Sequence, residues 1–504
     1  MKDTWRVNME QNKFRCHASV IIENLGGAFW FILLMLFSSM DNATEVFTLL
    51  AEGKITFFQA LAGTGVVFLI VFLILFYNWI VWRKTWISID NEAIVIERNL
   101  LNRKVNTIGM KNISNINMEQ NIFERIVGTY KIKLDTNSAT TADQTDVKII
   151  LSKEKAEWFK QQVMQRMNED TKEVAADTQE YDVEYKASDI ILHCVYTANP
   201  IAVITCIAFI VGCAIAFNSV NTGAALLDGL VNVLGSVLAI IIGLWSVIQS
   251  LIRDFFVYYG FKARRHENKI YLSHGLFKKR QYTIAVDKIN AVKLEAPVVS
   301  RILGRQFVKV ICVGVGDEEN ENSMLLLSEK NTDMERKLSI LLPEFVIEKP
   351  EIIPREKSSI WGALVAYIFC VVIWVALAVA FSVVNILDLE EMWIRIVIAI
   401  TAVLVIFLVG LSNVLNFKTC GIGLEKNNLL IVMGSFSKTS TWIPYAKIQK
   451  IEYDQGPIAR HFGFASGVIN ILAAILESIH STSYFKVEVF EEIRKRMLER
   501  KGKK

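Results

Sequence analysis

The sequence predicts a membrane α + β protein: six transmembrane helices in three hairpins, each hairpin followed by a small β-rich domain that ends in a helix. Three observations predict it. Of the 504 residues, 52% are hydrophobic, and they concentrate in six long apolar blocks. Lysine and arginine largely avoid the short connections inside each pair of blocks. A set of fixed residue spacings recurs three times along the chain.

The blocks cover residues 20–40, 58–82, 195–217, 230–252, 360–387 and 396–417. Each has the roughly 20 helical residues needed to cross a bilayer. Five contain no Asp, Glu, Lys or Arg, and the first holds Glu23 near its start. Buried core helices would be the alternative, but uncharged blocks of this length rarely occur together in a soluble fold. A cleaved signal peptide is disfavoured because Ser38-Ser39-Met40-Asp41 is a poor cleavage site.

Orientation follows from charge. Arg83 and Lys84 follow the second block, Arg253 and Lys262 the fourth, and Lys418 the sixth. The connections inside the pairs carry seven acidic residues against two basic ones. Lys and Arg stay on the cytoplasmic side of short loops, which puts both termini and the three β-rich domains in the cytoplasm. Localisation in a membrane that borders the cytoplasm is expected. The net charge of +4 is too small to argue for nucleic acid. The seven cysteines form no C-x-x-C pair, so free thiols are expected, with neither disulfide nor zinc.

The repeat organises everything else. Ser19, Ser188 and Ser358 precede the three helical pairs at steps of 169 and 170 residues, and each is a plausible N-cap. After each pair come alternating apolar and polar residues, such as Trp86-Ile87-Ser88-Ile89, which signal strands. A turn follows at Asn99, Gly275 and Gly434, residue types suited to positive φ. From that residue to an isoleucine is 14 positions in every copy (Ile113, Ile289, Ile448), then 12 to Arg125, Arg301 and Arg460, then 3 to Gly128, Gly304 and Gly463. Further strands follow, with closing amphipathic helices over 153–167, 329–342 and about 486–500. The third copy lacks the polar hairpin of the other two and reads as degenerate or differently packed.

The resulting division is an N-terminal segment with hairpin 1 (1–82), domain 1 (83–168), an acidic linker (169–190), hairpin 2 (191–252), domain 2 (253–343), a Pro-containing linker (344–358), hairpin 3 (359–417) and domain 3 with a basic tail (418–504). The acidic linker should be solvated and flexible.

The turn, the isoleucine strand and the x-Arg-x-x-Gly loop, set after a helical pair, resemble the bacterial pleckstrin-homology proteins. Within these the chain is most similar to the YdbS/YdbT-like multi-pass membrane family, in its three-unit form. The resemblance implies a split β-barrel closed by a helix in each domain. It implies no reaction and no cofactor, localisation in the inner membrane of a bacterial cell, and a role in envelope stress or defence. It also suggests a partner: a second copy, or a smaller membrane protein with one such unit.

No residue pattern carries catalysis. The six histidines fall on no metal-ligand spacing, and no P-loop or G-x-S-x-G is present. Two readings of Arg125, Arg301 and Arg460 stay open. Each guanidinium pairs with a lipid phosphate or peptide carboxylate, or it satisfies carbonyls of its own loop while Gly128, Gly304 or Gly463 supplies the tight turn. Arg103, Lys104, Lys278, Lys279, Arg280 and Lys438 follow the turns, where they either face an anionic leaflet, at roughly 1 kcal/mol each, or sit on a solvated loop. Gly235, Ala239 and Gly243 lie four apart on one helix face and permit close packing. The expected function is a non-enzymatic scaffold at the inner leaflet, in contact with the lipid bilayer. The alternative is a transporter, channel or lipid-handling protein, against which stands the lack of ionisable residues inside five blocks.

Overall fold

The computed structural model describes residues 13–23, 72–90, 92–100, 102–136, 147–167, 180–198, 251–312, 324–345, 350–383, 392–473 and 475–501, with positions 69, 245, 248 and 249. These belong to two compact units: residues 1–137 with 145–179, and residues 138–144 with 180–504.

In the first unit, β1 (Lys13–Phe14), β2 (Thr85–Ile89), β3 (Ala93–Asn99) and β4 (Arg103–Gly109) form a four-stranded antiparallel sheet in that order. A 3-10 turn over Met110–Asn112 leads to β5 (Ile113–Gln120), followed by α1 (Ile122–Val127), β6 (Thr129–Thr136), β7 (Val147–Ser152) and α2 (Lys153–Met167). β6 lies between β5 and β7. Helix α2 turns Phe159 and Val163, one helical turn apart, into the core against β6 and β7.

The second unit holds two further copies of this order. One runs β8 (Val183–Glu184), α3 (Ala187–Thr197), β9 (Lys262–His266), β10 (Lys269–His274), β11 (Lys279–Ala285), β12 (Ala291–Ala296), α4 (Val298–Ile302), β13 (Arg305–Ile311), β14 (Met324–Lys330) and α5 (Asn331–Leu341). The next runs β15 (Ile352–Pro354), α6 (Ile360–Val383), α7 (Met392–Thr419), β16 (Gly421–Leu424), β17 (Asn428–Met433), β18 (Lys438–Pro444), β19 (Ile448–Asp454), α8 (Pro457–Phe462), β20 (Phe464–Ile471), β21 (Ile479–Lys486) and α9 (Val487–Lys501). We call these modules 2 and 3, and the first unit's copy module 1.

The two modules share a sheet. Its seven strands run β14-β13-β12-β18-β17-β16-β15, so the last strands of module 2 continue into the first strands of module 3. The apolar run of β17 explains how one sheet serves two cores. Leu429 and Ile431 pack with Tyr445 and Phe490 of module 3, whereas Leu430 and Val432 pack with Leu294 and Phe307 of module 2. Successive strand residues face opposite sides, so a strand buried on both needs apolar residues throughout. β19, β20 and β21 form a separate three-stranded sheet.

Several expectations are corrected. Six transmembrane helices in three hairpins are not seen. Among the described residues, one stretch, Ala402–Thr419 within α7, is long and apolar enough to cross a membrane. Shorter apolar helices occur at Phe72–Arg83 and Tyr367–Ala376, while most of 20–40, 195–217 and 230–252 lies outside the described residues. The sequence expectation counts apolar residues in every block, whereas among the described residues one stretch meets both the length and the apolarity that a span needs. Nor does each domain close on itself as a split barrel. In modules 2 and 3 the edges of half-sheets are satisfied by the neighbouring module, because an unpaired edge leaves its amide and carbonyl groups without partners.

The linkers are also structured in part. β8 pairs with β9 and β15 with β16, as β1 pairs with β2, so the strand before each apolar block lies beside the strand after it. Within the expected flexible linker, the Asp182 carboxylate accepts from the Arg265 amide at 2.7 Å, and Glu184 pairs with Lys262 at 2.8 Å. Ser188 lies inside α3, where Asp189 instead accepts from the Lys186 amide at 3.1 Å. Asn99 sits in β3 without positive φ, unlike Gly275 and Gly434 at φ 107° and 128°. Module 3 keeps all three of its closing strands, with a helical turn at Ile475–Ser478 in place of the polar hairpin.

Candidate functional site

The repeated spacings converge on one place in each module. The isoleucines Ile113, Ile289 and Ile448 each end a 3-10 turn at φ −70° and are 1%, 1% and 0% exposed. They anchor the strand that runs to the arginine loop. In each loop a short helix, α1, α4 or α8, presents the arginine in its last turn. Gly128, Gly304 and Gly463 then adopt φ of 76°, 63° and 71°. A Cβ at any of the three would meet nothing within 4 Å, so the backbone conformation, not lack of room, requires glycine there.

Module 1 reinforces its loop with a capping box. The Asn121 side chain accepts from the Glu124 amide at 2.8 Å, and the Glu124 carboxylate accepts from the Asn121 amide at 2.7 Å. Glu124 is buried and also lies 3.6 Å from Lys131.

Arg301 is the most informative of the three arginines. Its Nη2 donates to Thr419 Oγ1 at 2.8 Å, and its Nη1 donates to the carbonyl oxygens of Ser435 and, at 3.3 Å, Ser437. Its acceptors therefore lie in the β17–β18 turn of module 3 and at the end of α7, not in its own loop. Beside it, burial and then the Arg301 charge hold the Lys438 ammonium pKa below its usual range. Arg125 and Arg460 are exposed on their loops.

Apolar side chains project beside these arginines. Ile126 and Ile302 are 80% and 79% exposed, and Phe462 is 49% exposed. Sequence reading missed them because an isolated isoleucine in a loop carries no pattern. Of the basic residues, Arg103 pairs with Glu97 at 2.8 Å and Lys104 is exposed, whereas Arg280 is buried and so placed away from any surface. Lys278 and Lys279 are half-buried, and Gly235, Ala239 and Gly243 lie outside the described residues.

Among the described residues no cluster of His, Cys, Asp and Glu could hold a metal ion. His193 is buried between Tyr258 and Phe307, and its Nδ1 accepts from the Ser328 amide at 3.1 Å. That is a packed core histidine. The arrangement is thus one for joining sheets and holding modules at a helix end.

Three stretches of the chain, residues 31–167, 206–332 and 360–501, match the family model described as "Bacterial PH domain". The chain is also similar to "UPF0699 transmembrane protein YdbT" of Bacillus subtilis (strain 168), 22% identical over 294 residues. That match covers 53% of this chain and 58% of the relative, less than two thirds of the relative's length. No solved structure matches. With most of its length matched, the chain belongs to the bacterial PH domain family, in three successive copies.

Proposed function

We propose that this protein is a membrane-anchored, non-enzymatic scaffold whose three PH-family modules form a binding platform at the inner leaflet, with both termini cytoplasmic. The observation that carries the reading is the attachment of two modules to one helix end. The apolar helix α7 ends at Thr419, only Cys420 precedes β16 of module 3, and Arg301 of module 2 bonds to Thr419 itself. Modules so tied stay at the level where that helix leaves the bilayer.

The apolar tip at Ile302, 79% exposed, suits contact with the headgroup boundary, where an exposed apolar side chain can enter. The relative's name, a transmembrane protein, supports membrane residence. Work in a complex, with a second copy or with a smaller one-module membrane protein, fits modules that join by strand edges.

Cross-linking in native membranes, followed by affinity purification and mass spectrometry, tests the reading. A reproducible set of cross-linked protein partners is expected. A clean monomer at native abundance, with no co-purifying protein, overturns the scaffold. A C-terminal tag open to protease only after the cytoplasmic face is exposed is expected, and the opposite result overturns the orientation.

A further inference from the structure

The junction between modules 2 and 3 has two counterparts at the outer strands of the repeat. In the junction β12 and β18 are antiparallel neighbours, with Leu294 opposite Ser440 and Glu295 opposite Thr439. The gap-free spacings make β19 the equivalent of β12, since Ile451 pairs with Ile469 as Val292 pairs with Val310. They make β4 the equivalent of β18, since Val95 pairs with Thr107 as Leu430 pairs with Trp442. Among the described residues, however, β4 and β19 are each the edge of their sheet.

Exposure follows that difference. Leu294 and Ser440 are 3% and 7% exposed, whereas their equivalents Tyr453 and Val105 are 39% and 49% exposed. Sheet edges that carry exposed apolar residues invite another strand. We propose that β19 of one copy of this chain takes β4 of a second copy as its antiparallel neighbour, in the β12–β18 register. This deepens the scaffold reading by naming its partner.

That register places Tyr453 opposite Val105 and Asp454 opposite Lys104. An aromatic side chain then covers a β-branched one, and an acid faces a base, both favourable as directly opposed pairs. The third correspondence is the arginine. Arg301 reaches the carbonyl oxygens of Ser435 and Ser437 across the β12–β18 junction. Its equivalent Arg460 is exposed in α8, directly after β19, and the equivalents of its acceptors are the carbonyls of Leu100 and Asn102 beside β4. One chain therefore carries a complementary edge at each end of its repeat, which is the heterologous arrangement that adds copies until a ring closes.

Full-length protein in native membranes tests this. Two differently tagged copies, one with Val105→Cys and one with Tyr453→Cys, are co-expressed and treated with a short thiol cross-linker. Directly opposed strand residues have Cβ atoms about 5 Å apart, within its reach. A two-chain adduct carrying both tags is expected, well above the background that the seven native cysteines give with either variant alone. Lys104→Glu should reduce the adduct at least fivefold, and Asp454→Lys in the partner should restore it. No adduct above background, failure of the charge swap to restore it, or an adduct at single-chain mass when both cysteines sit in one chain overturns the inference. If self-adducts are missing while Tyr453→Cys captures a one-module membrane protein, the join to a second copy falls and the scaffold stands.

Discussion

Arg301 donates to the carbonyl oxygen of Ser437 at 3.3 Å although 136 positions separate them in the chain. With Thr419 and Ser435 also accepting, the planar guanidinium ties the loop after β12 to the turn before β18. Arg301→Ala should therefore loosen the shared sheet. Charge-assisted bonds are worth about 1.5–3 kcal/mol, so hydrogen exchange of β12 and β18 amides should speed up while β10 stays protected. Arg301→Lys should restore little, since an ammonium lacks the fork that meets three acceptors. Unchanged protection of β12 and β18 would mean that the junction holds without this residue.

His193 gives a pH dependence. Burial, with a smaller contribution from the Lys309 charge, pushes its pKa down from 6.5 to about 3. The unfolded chain therefore binds the extra proton over that window and the folded one does not. Stability is full above pH 6.5 and falls as the pH drops towards 3, at about 1.4 kcal/mol per unit. His480 of module 3, lowered to about 4 mainly by burial, adds in the same direction. Between pH 7.5 and 5, His193→Gln should remove about 2 kcal/mol of the loss seen in denaturant unfolding. An identical pH slope in the variant would contradict the buried neutral imidazole.

Much of this was legible in the sequence because it is local. From the isoleucine onward the spacings fell on the same strand and loop in every module, and Gly128, Gly304 and Gly463 took the positive φ that a tight turn needs, whereas Asn99 ends β3 where Gly275 and Gly434 make a turn. Strand neighbours across modules were not legible. Alternation tells which face a residue takes and not which strand lies beside it. One signal was available: the unbroken run Leu429-Leu430-Ile431-Val432 demands burial on both faces, which a half-exposed barrel wall would not. The strands β1, β8 and β15 escaped because two or three residues show no period, and their partners lie across an apolar block.

Glycine in the β17–β18 turn and in the arginine loops should differ in cost. At Gly434, φ is 128° and an added Cβ would lie 2.2 Å from the Ser437 carbonyl oxygen, an acceptor of Arg301. At Gly128 the same Cβ would meet nothing within 4 Å, so only the left-handed backbone resists. Gly128→Ala should cost about 1 kcal/mol, and Gly434→Ala clearly more, since it displaces the turn as well. Thermal unfolding of the two variants decides the order. Equal shifts would rule out the steric part.

The last prediction concerns a buried ion pair in module 1. Lys133 Nζ lies 3.2 Å from Glu119 Oε1, and both side chains are 2% exposed. The two residues are diagonal neighbours, because β5 and β6 place Asn117 opposite Lys133 and Glu119 opposite Lys131. Removing both charges from water is costly, and their attraction offsets that cost only while both are present. Lys133→Met leaves a carboxylate in the core, and Glu119→Leu leaves an ammonium there, so each should destabilise the module by about 3–5 kcal/mol. The double variant should lie closer to the parent than either single one, since apolar groups of similar volume fill the same space without a charge to desolvate. Denaturant unfolding of all four proteins gives the coupling. If the two single losses simply add in the double variant, the charges act independently, and the pair has no part in holding β5 against β6.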